Sequence, residues 1–388
     1  MKPTLTSIRP FFIIASAFTA ILLSSCQKSI DPSVVQQETL LKKSMHVKTV
    51  KHYQQRNLVA NSAGYGALHV DPTMVNAWGL AFSSGGTAWV SSNAGHVSNV
   101  YDSIGNPAGI NPVAIPGPTT STGGTPTGQV FNGTTGFQIP VSAGSTTMTT
   151  ARFIFVGDDG VLSAWAPTWG HSSYRVANNS ATSSYTGLAI GSSGGNNYIY
   201  AANFIANGRI DVWNSSWQPV SMPFTDPNLP SGYAPFNIQA IGNQLYVMYA
   251  QIADGDEVKG IGLGIVDIYS TSGMFIQRFA TGGTLNAPWG VAIAPASFVS
   301  DDADASPAIL VGNFGDGKIN AYRASDGKFI GQLSSSKNDP LVIDGLWAIS
   351  FAPATSTINH NLLYFTAGPN DETAGLIGYL SKVNDDDD

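Results

Sequence analysis

The chain has little cysteine, little charge and no clustered basic residues. Cys26 is the only cysteine among 388 residues, so no intrachain disulfide is available and the fold must stand on its core. Charged residues make up only 11%, which excludes a coiled coil or a charged disordered chain. Lys and Arg number 18 against 25 Asp and Glu, and they form no block. That excludes nucleic acid as a partner, because displacing phosphate counterions takes clustered basic side chains. The six histidines are His46, His52, His69, His96, His171 and His360, and no two stand at His-x-x-x-His spacing. Gly-rich Gly191–Asn197 lacks the Lys and the helix of a phosphate loop and is expected to be a turn.

What is present begins with a leader. Lys2 and Arg9 precede an apolar run from Phe11 to Leu23, too short for a membrane span and suited to a signal peptide. Leu23–Cys26, LSSC, resembles a bacterial lipobox, which implies cleavage before Cys26 and lipidation on it. Gln27 instead of Asp after the cysteine implies sorting to the outer membrane. The expected layout is a lipoprotein signal peptide over 1–25, lipidated Cys26 and a tether over 26–46, a folded domain over 47–383 and an acidic tail over 384–388. The expected location is the bacterial cell envelope, with the membrane as a partner through the lipid.

One phrase recurs through the domain. VNAWGLAF begins at Val75, LNAPWGVAIAP at Leu285 and IDGLWAISFAP at Ile343. Aligned copies place Gly79, Gly128, Gly187, Asn237, Gly290 and Ala348 in register, at steps of 49, 59, 50, 53 and 58 residues. A second phrase follows each copy: an apolar strand, a Gly/Asn/Asp turn and an alternating strand, as in ILVGNFGDGKINAY from Ile309. Four-stranded units at this period predict an all-β fold, a six-bladed β-propeller of antiparallel blades. The small residue after each aromatic allows inner strands to crowd at the axis, and the Trp is expected to pack between neighbouring blades. The last unit is a strand short, so Val47–Ala60 is expected to supply that strand and close the ring.

The turn-rich phrase and PWGVAIAP resemble NHL-type propellers. FTDPNLPSGYAPFNIQ, LNAPWGVAIAPASF, LVGNFGDGKINAY and FTAGPNDE are similar to phrases of an exported bacterial family known as conserved hypothetical proteins. That resemblance implies the fold and an exported location and brings no catalytic residues.

Four acidic clusters stand out: Asp158-Asp159, Asp254–Glu257, Asp301–Asp304 and the Asn370–Glu372 triplet. Asp301–Asp304 is a weak match to a Ca²⁺ loop and is expected to be a solvated loop, while the Ala253–Gly262 insertion is expected to be a surface loop that shapes a binding face. The candidate ligand positions are Asn76, Asn237, Asn286 and Asp344, which stand at matching places beside the repeated phrase. They are expected to gather at the channel mouth, where a Ca²⁺ ion is one possible guest. Two functions follow. The first is a binding or scaffold module for a glycan, small-molecule or protein ligand. The second is a metal-dependent hydrolase or lyase resembling propeller lactonases. No recognisable catalytic motif is present, and the first is preferred.

Overall fold

The computed structural model describes residues 49–300, 306–336 and 339–383. The expected signal peptide, Cys26, the tether, Asp301–Asp304 and the tail from 384 lie outside the described residues. No described helix is long and apolar enough to cross a membrane.

Each copy of the repeated phrase forms the first strand of an antiparallel sheet. β1 (Thr49–Ala60) and β2 (His69–Val70) precede the first copy. β3 (Ala77–Phe82), β4 (Ala88–Ser92), β5 (Val97–Tyr101) and β6 (Val113–Ala114) then pair in that order. β7 (Pro126–Phe131) is followed by a hairpin of β8 (Gln138–Pro140) and β9 (Met148–Thr150), and then pairs with β10 (Phe153–Gly157). β11 (Val161–Trp165) and β12 (Tyr174–Asn178) complete that sheet. The third sheet contains β13 (Tyr185–Ser193), β14 (Asn196–Asn203) and β15 (Arg209–Asn214). The fourth contains β16 (Tyr233–Ile241), β17 (Gln244–Ala253) with the short β18 (Asp256–Glu257), β19 (Ile265–Ser270) and β20 (Phe275–Thr281). β21 (Pro288–Ala294), β22 (Ala308–Asn313), β23 (Ile319–Arg323) and β24 (Phe329–Ser336) follow, with β25 (Asp339–Pro340) on β24. The chain ends in β26 (Leu346–Phe351), β27 (Leu363–Ala367) and β28 (Leu376–Lys382).

The second strands are apolar along their length because both of their faces are covered. β4, β10, β22 and β27 are buried at every residue. The first strands pack against one another in sequence, and β26 packs against β3. Glycine makes that approach possible. A Cβ on Gly79 would lie 2.2 Å from the Thr127 carbonyl oxygen, and one on Gly128 would lie 2.4 Å from the Leu188 nitrogen. A Cβ on Gly187 would meet the Asn237 side chain at 2.0 Å, and one on Gly290 would meet the Trp347 carbonyl at 2.7 Å. Side chains stitch the same junctions: Thr127 Oγ1 donates to Tyr185 O at 2.6 Å, Thr186 Oγ1 to Phe236 O at 2.8 Å and Asn237 Nδ2 to Trp289 O at 2.8 Å.

β1 joins two sheets. From Tyr53 to Ala60 it runs antiparallel to β28, and Thr49 and Val50 pair in parallel with Gln332 and Leu333 of β24. The third sheet stays at three strands. Its outer edge receives only a bridge from Trp213 to Pro219 and a bond from Val220 N to Val212 O at 2.8 Å. Pro219 has no N–H to continue the ladder.

Candidate functional site

The tryptophans of the repeated phrase meet at the axis, and this differs from the expected packing between neighbouring blades. Trp78, Trp289 and Trp347 join Phe204, Phe236 and Phe314 in one buried cluster. Trp347 is stacked on both faces, at 3.7 Å from Trp78 and 3.8 Å from Phe314. The reason is register: an aromatic at the same inner-strand position in several sheets reaches the same level of the axis. In β7 and β13 that position holds Thr127 and Thr186, which leaves room for the larger rings. Further along the strands, a cavity of about 20 Å³ is lined by Gly79, Gly128, Gln129, Asn237 and Gly290. It has room for roughly one water molecule. The axis is therefore filled at this level, which leaves its mouth as the place on the axis open to a ligand.

The turns between second and third strands form that mouth, and they carry its charges. Asp158 and Asp159 lie between β10 and β11, Asp256 and Glu257 between β17 and β19, and Glu372 between β27 and β28. Lys259 Nζ stands 4.2 Å above the Phe314 ring and 3.9 Å from Glu257 Oε1. A chain of contacts runs around the rim. Trp347 Nε1 donates to Asn76 Oδ1 at 2.9 Å, and Asn76 Nδ2 donates to Glu372 Oε2 at 2.7 Å. Asn93 N donates to Asn76 O at 3.0 Å, and Asn93 Nδ2 to Asp158 Oδ2 at 3.1 Å. Asp158 also accepts from the Thr125 hydroxyl.

The mouth holds more negative charge than its surroundings favour. Burial pushes Glu257 up to about 7, with Glu372 and Asp256 adding to the rise and Lys259 opposing it. Burial raises Glu372 as well, against the Asn76 hydrogen bond and Lys259, while Asp158 and Asp256 push it further. Asp158 is raised by burial and by Asp159, against bonds from Thr125 and Asn93. Asp159 is raised by burial, while its backbone bonds and His96 lower it. The backbone is strained at the same place. Asn370, Asp371 and Glu372 have φ of 58°, 50° and 64°, a run of left-handed residues with no glycine. Each costs about 1–2 kcal/mol relative to an ordinary conformation, and strain of this kind collects where side chains must be aimed.

Glu257 gives a pH prediction. Its folded value lies above the unfolded carboxylate value, so the folded state holds its proton more tightly. The stability it contributes is complete below about 4.3, the unfolded value, and is lost as pH rises through about 7. Asp267, raised by burial to about 7 despite Arg278, acts in the same direction. Urea denaturation at pH 5, 6, 7 and 8 is expected to show stability falling with pH, and Glu257→Gln is expected to flatten the slope. An unchanged slope in that variant would remove Glu257 from this account.

Three of the four positions singled out in the sequence hold these groups in place. Asn76 binds Glu372 directly. Asn286 Oδ1 accepts from Gly260 N at 2.7 Å and so fixes the segment that carries Lys259. Exposed Asp344 accepts from Asn370 N at 2.9 Å, at the start of the left-handed turn that carries Glu372. Asn237 lines the small inner cavity, with its Oδ1 taken by Ile238 N. The amide oxygens of Asn76, Asn237 and Asn286 each accept an N–H. Among the described residues, no three His, Cys, Asp or Glu side chains are placed to hold a metal ion. The mouth carboxylates fall in three of the acidic clusters named in the sequence, one of them in the segment expected to shape a binding face. The available signal was their shared position, after the second strand of a unit.

Fold and site together define an all-β, propeller-like protein whose axis is plugged by aromatic rings beneath a charged mouth. The chain belongs to the same family as uncharacterized protein L690 of Acanthamoeba polyphaga mimivirus, which is 30% identical over 331 residues, 81% of this chain and 82% of the relative. Uncharacterized protein R648 of the same virus is 28% identical over 337 residues, 84% of this chain and 79% of that protein. R640, also uncharacterized and from that virus, is 32% identical over 241 residues, 58% of this chain and 43% of that protein. No protein-family model matches. These relatives correct the resemblance to an exported bacterial, NHL-like family: they point to a viral family. The phrases behind that resemblance are those the ring geometry demands, Trp beside a small residue at the axis and Asp-Gly at a turn, so they report packing rather than origin. Among solved structures, virginiamycin B lyase from Staphylococcus aureus is 12% identical with a TM-score of 0.46, covering 85% of this chain and 99% of the lyase. The complex of BBS1N with ARL6DN gives 11% and 0.40, covering 76% and 74%.

Proposed function

We propose that the protein is a six-bladed propeller acting as a non-catalytic binding module, with its ligand held at the axial mouth. The observation that carries this is the convergence of Asp158, Glu257, Lys259 and Glu372, from separate sheets, over one aromatic floor. A concave polar site above apolar rings suits recognition of a small molecule or of a side chain on a larger partner. Hydrolysis by a bound metal finds less support, because no three His, Cys, Asp or Glu side chains among the described residues are placed to hold one.

A thermal-shift screen of small metabolites on wild type and Glu372→Gln tests this. Compounds that stabilise wild type are expected to lose most of their effect in the variant, and purified protein is expected to carry less than one metal ion per chain. Hits indifferent to Glu372→Gln, or a stoichiometric metal, would count against the proposal.

We propose separately, on the sequence alone, that Cys26 carries a lipid that holds the module at a membrane. Acyl chains give membrane affinity of about 0.8 kcal/mol per buried CH₂. Labelling with radioactive palmitate is expected for wild type and not for Cys26→Ser, and equal labelling of the two would end this proposal.

A further inference from the structure

We infer that the axial mouth is a seat for an organic ammonium group, which Lys259 fills from within the chain. This rests on the binding-module proposal above and names its ligand class. The Lys259 ammonium lies 4.2 Å from the centre of the Phe314 ring. That ring is the outermost of three stacked rings, Phe314, Trp347 and Trp78. The face of such a ring attracts a cation, most strongly where water is excluded, and Phe314 is only 3% exposed. Carboxylates surround the same ammonium: Glu257 lies 3.9 Å away, and the Lys259 charge acts on Glu372 as well. Asp256 and Asp158 act on those carboxylates in turn.

Two features separate a seat from a structural ion pair. The Lys259 side chain is 48% exposed, so the residue that occupies the ring is not itself locked in. Its charge also falls short of the demand, because one ammonium serves both Glu257 and Glu372, with Asp158 and Asp256 acting on those carboxylates. A second cation, or a better-seated one, would relieve that imbalance. A hard metal ion wants a cage of oxygens and gains little from a ring face, whereas an alkylammonium gains from both. A carboxylate or phosphate ligand would meet repulsion at this site.

The test removes the internal cation and returns it as a free molecule. Lys259→Ala deletes a propylammonium group, and n-butylammonium, one methylene longer, is the probe. n-Butanol and butyrate serve as neutral and anionic controls of similar size. Calorimetric titration is expected to show n-butylammonium binding Lys259→Ala about tenfold more tightly than wild type, as a cation returned to a ring face would. Lys259→Gln is expected to show a smaller gain, and adding Glu372→Gln to Lys259→Ala is expected to abolish it. If n-butanol or butyrate binds Lys259→Ala as well as n-butylammonium does, the ammonium assignment falls and the mouth remains a binding site. If no probe binds either protein, or if binding ignores Glu372→Gln, the mouth itself is ruled out as the site and both proposals fall.

Discussion

A chain that begins at residue 47 is expected to melt as the full-length protein does, and one that begins at residue 61 is expected not to fold. The difference is β1. It makes a long antiparallel ladder with β28 and a parallel contact with β24, so its loss bares two sheet edges at once. Its side chains are also core. Tyr53, Leu58, Val59 and Ala60 are each at most 5% exposed, and Tyr53 donates to Phe298 O at 2.7 Å. Full burial of one large apolar side chain is worth about 1.5–3 kcal/mol, and a whole domain has only about 5–15 kcal/mol to lose. Several such side chains plus a ladder exceed that margin. Circular dichroism melts of the two truncations decide the matter. Equal midpoints would mean that the sheets of β24 and β28 hold without the strand between them.

Much of this architecture is legible in the sequence because it is local or repeated. The repeated phrase marks every first strand, with Trp in β3, β21 and β26, and Asp316-Gly317 supplies the left-handed turn residue at φ 70° that its hairpin needs. The short last unit and the alternating Val47–Ala60 together point to β1. The parallel contact of β1 with β24 carries no such mark, since it depends on where two sheets end up in space. The short edge of the third sheet is written in Pro219 and Pro223, yet a proline-rich stretch looks like any loop until its neighbour strand is known. The mouth was hardest to see. Glu257 sits in the segment between β17 and β19 and Glu372 in the Asn-Asp-Glu triplet, both rich in the residues of turns. What distinguishes them is burial, and burial arises only when turns from opposite sides of the ring meet. The Asn and Asp positions beside the repeated phrase are legible as a set. Asn76, Asn286 and Asp344 bond to Glu372 or to the segments that carry Glu372 and Lys259, a link that needs hydrogen-bond partners to see.

The largest effect of a single substitution is expected at Trp347. Its side chain is 1% exposed, with a ring stacked on each face and Trp289 at 5.8 Å edge-on. Truncating a buried aromatic costs about 3–5 kcal/mol through lost contacts and the cavity left behind. Loss of the stacked partners adds about 0.5–1.5 kcal/mol per aromatic pair. Trp347→Ala also strands Asn76 Oδ1, a buried acceptor whose N–H donor is gone, at about 1–3 kcal/mol. Trp289→Ala is expected to fall in the range for one buried aromatic alone, because Trp289 has edge contacts and its N–H goes to the Thr186 carbonyl at 3.0 Å. Trp347→Phe separates the contributions in part: it keeps a ring between Trp78 and Phe314 and loses the N–H and a portion of the indole's buried volume. Urea denaturation should rank the three as Trp347→Ala, then Trp289→Ala, then Trp347→Phe. Trp347→Phe should also loosen Asn76 and with it Glu372, so ligand affinity at the mouth should drop more than stability does. A Trp347→Ala protein within 1 kcal/mol of wild type would show that the rings are not the plug described. A Trp347→Phe protein with unchanged affinity would cut the link from plug to mouth.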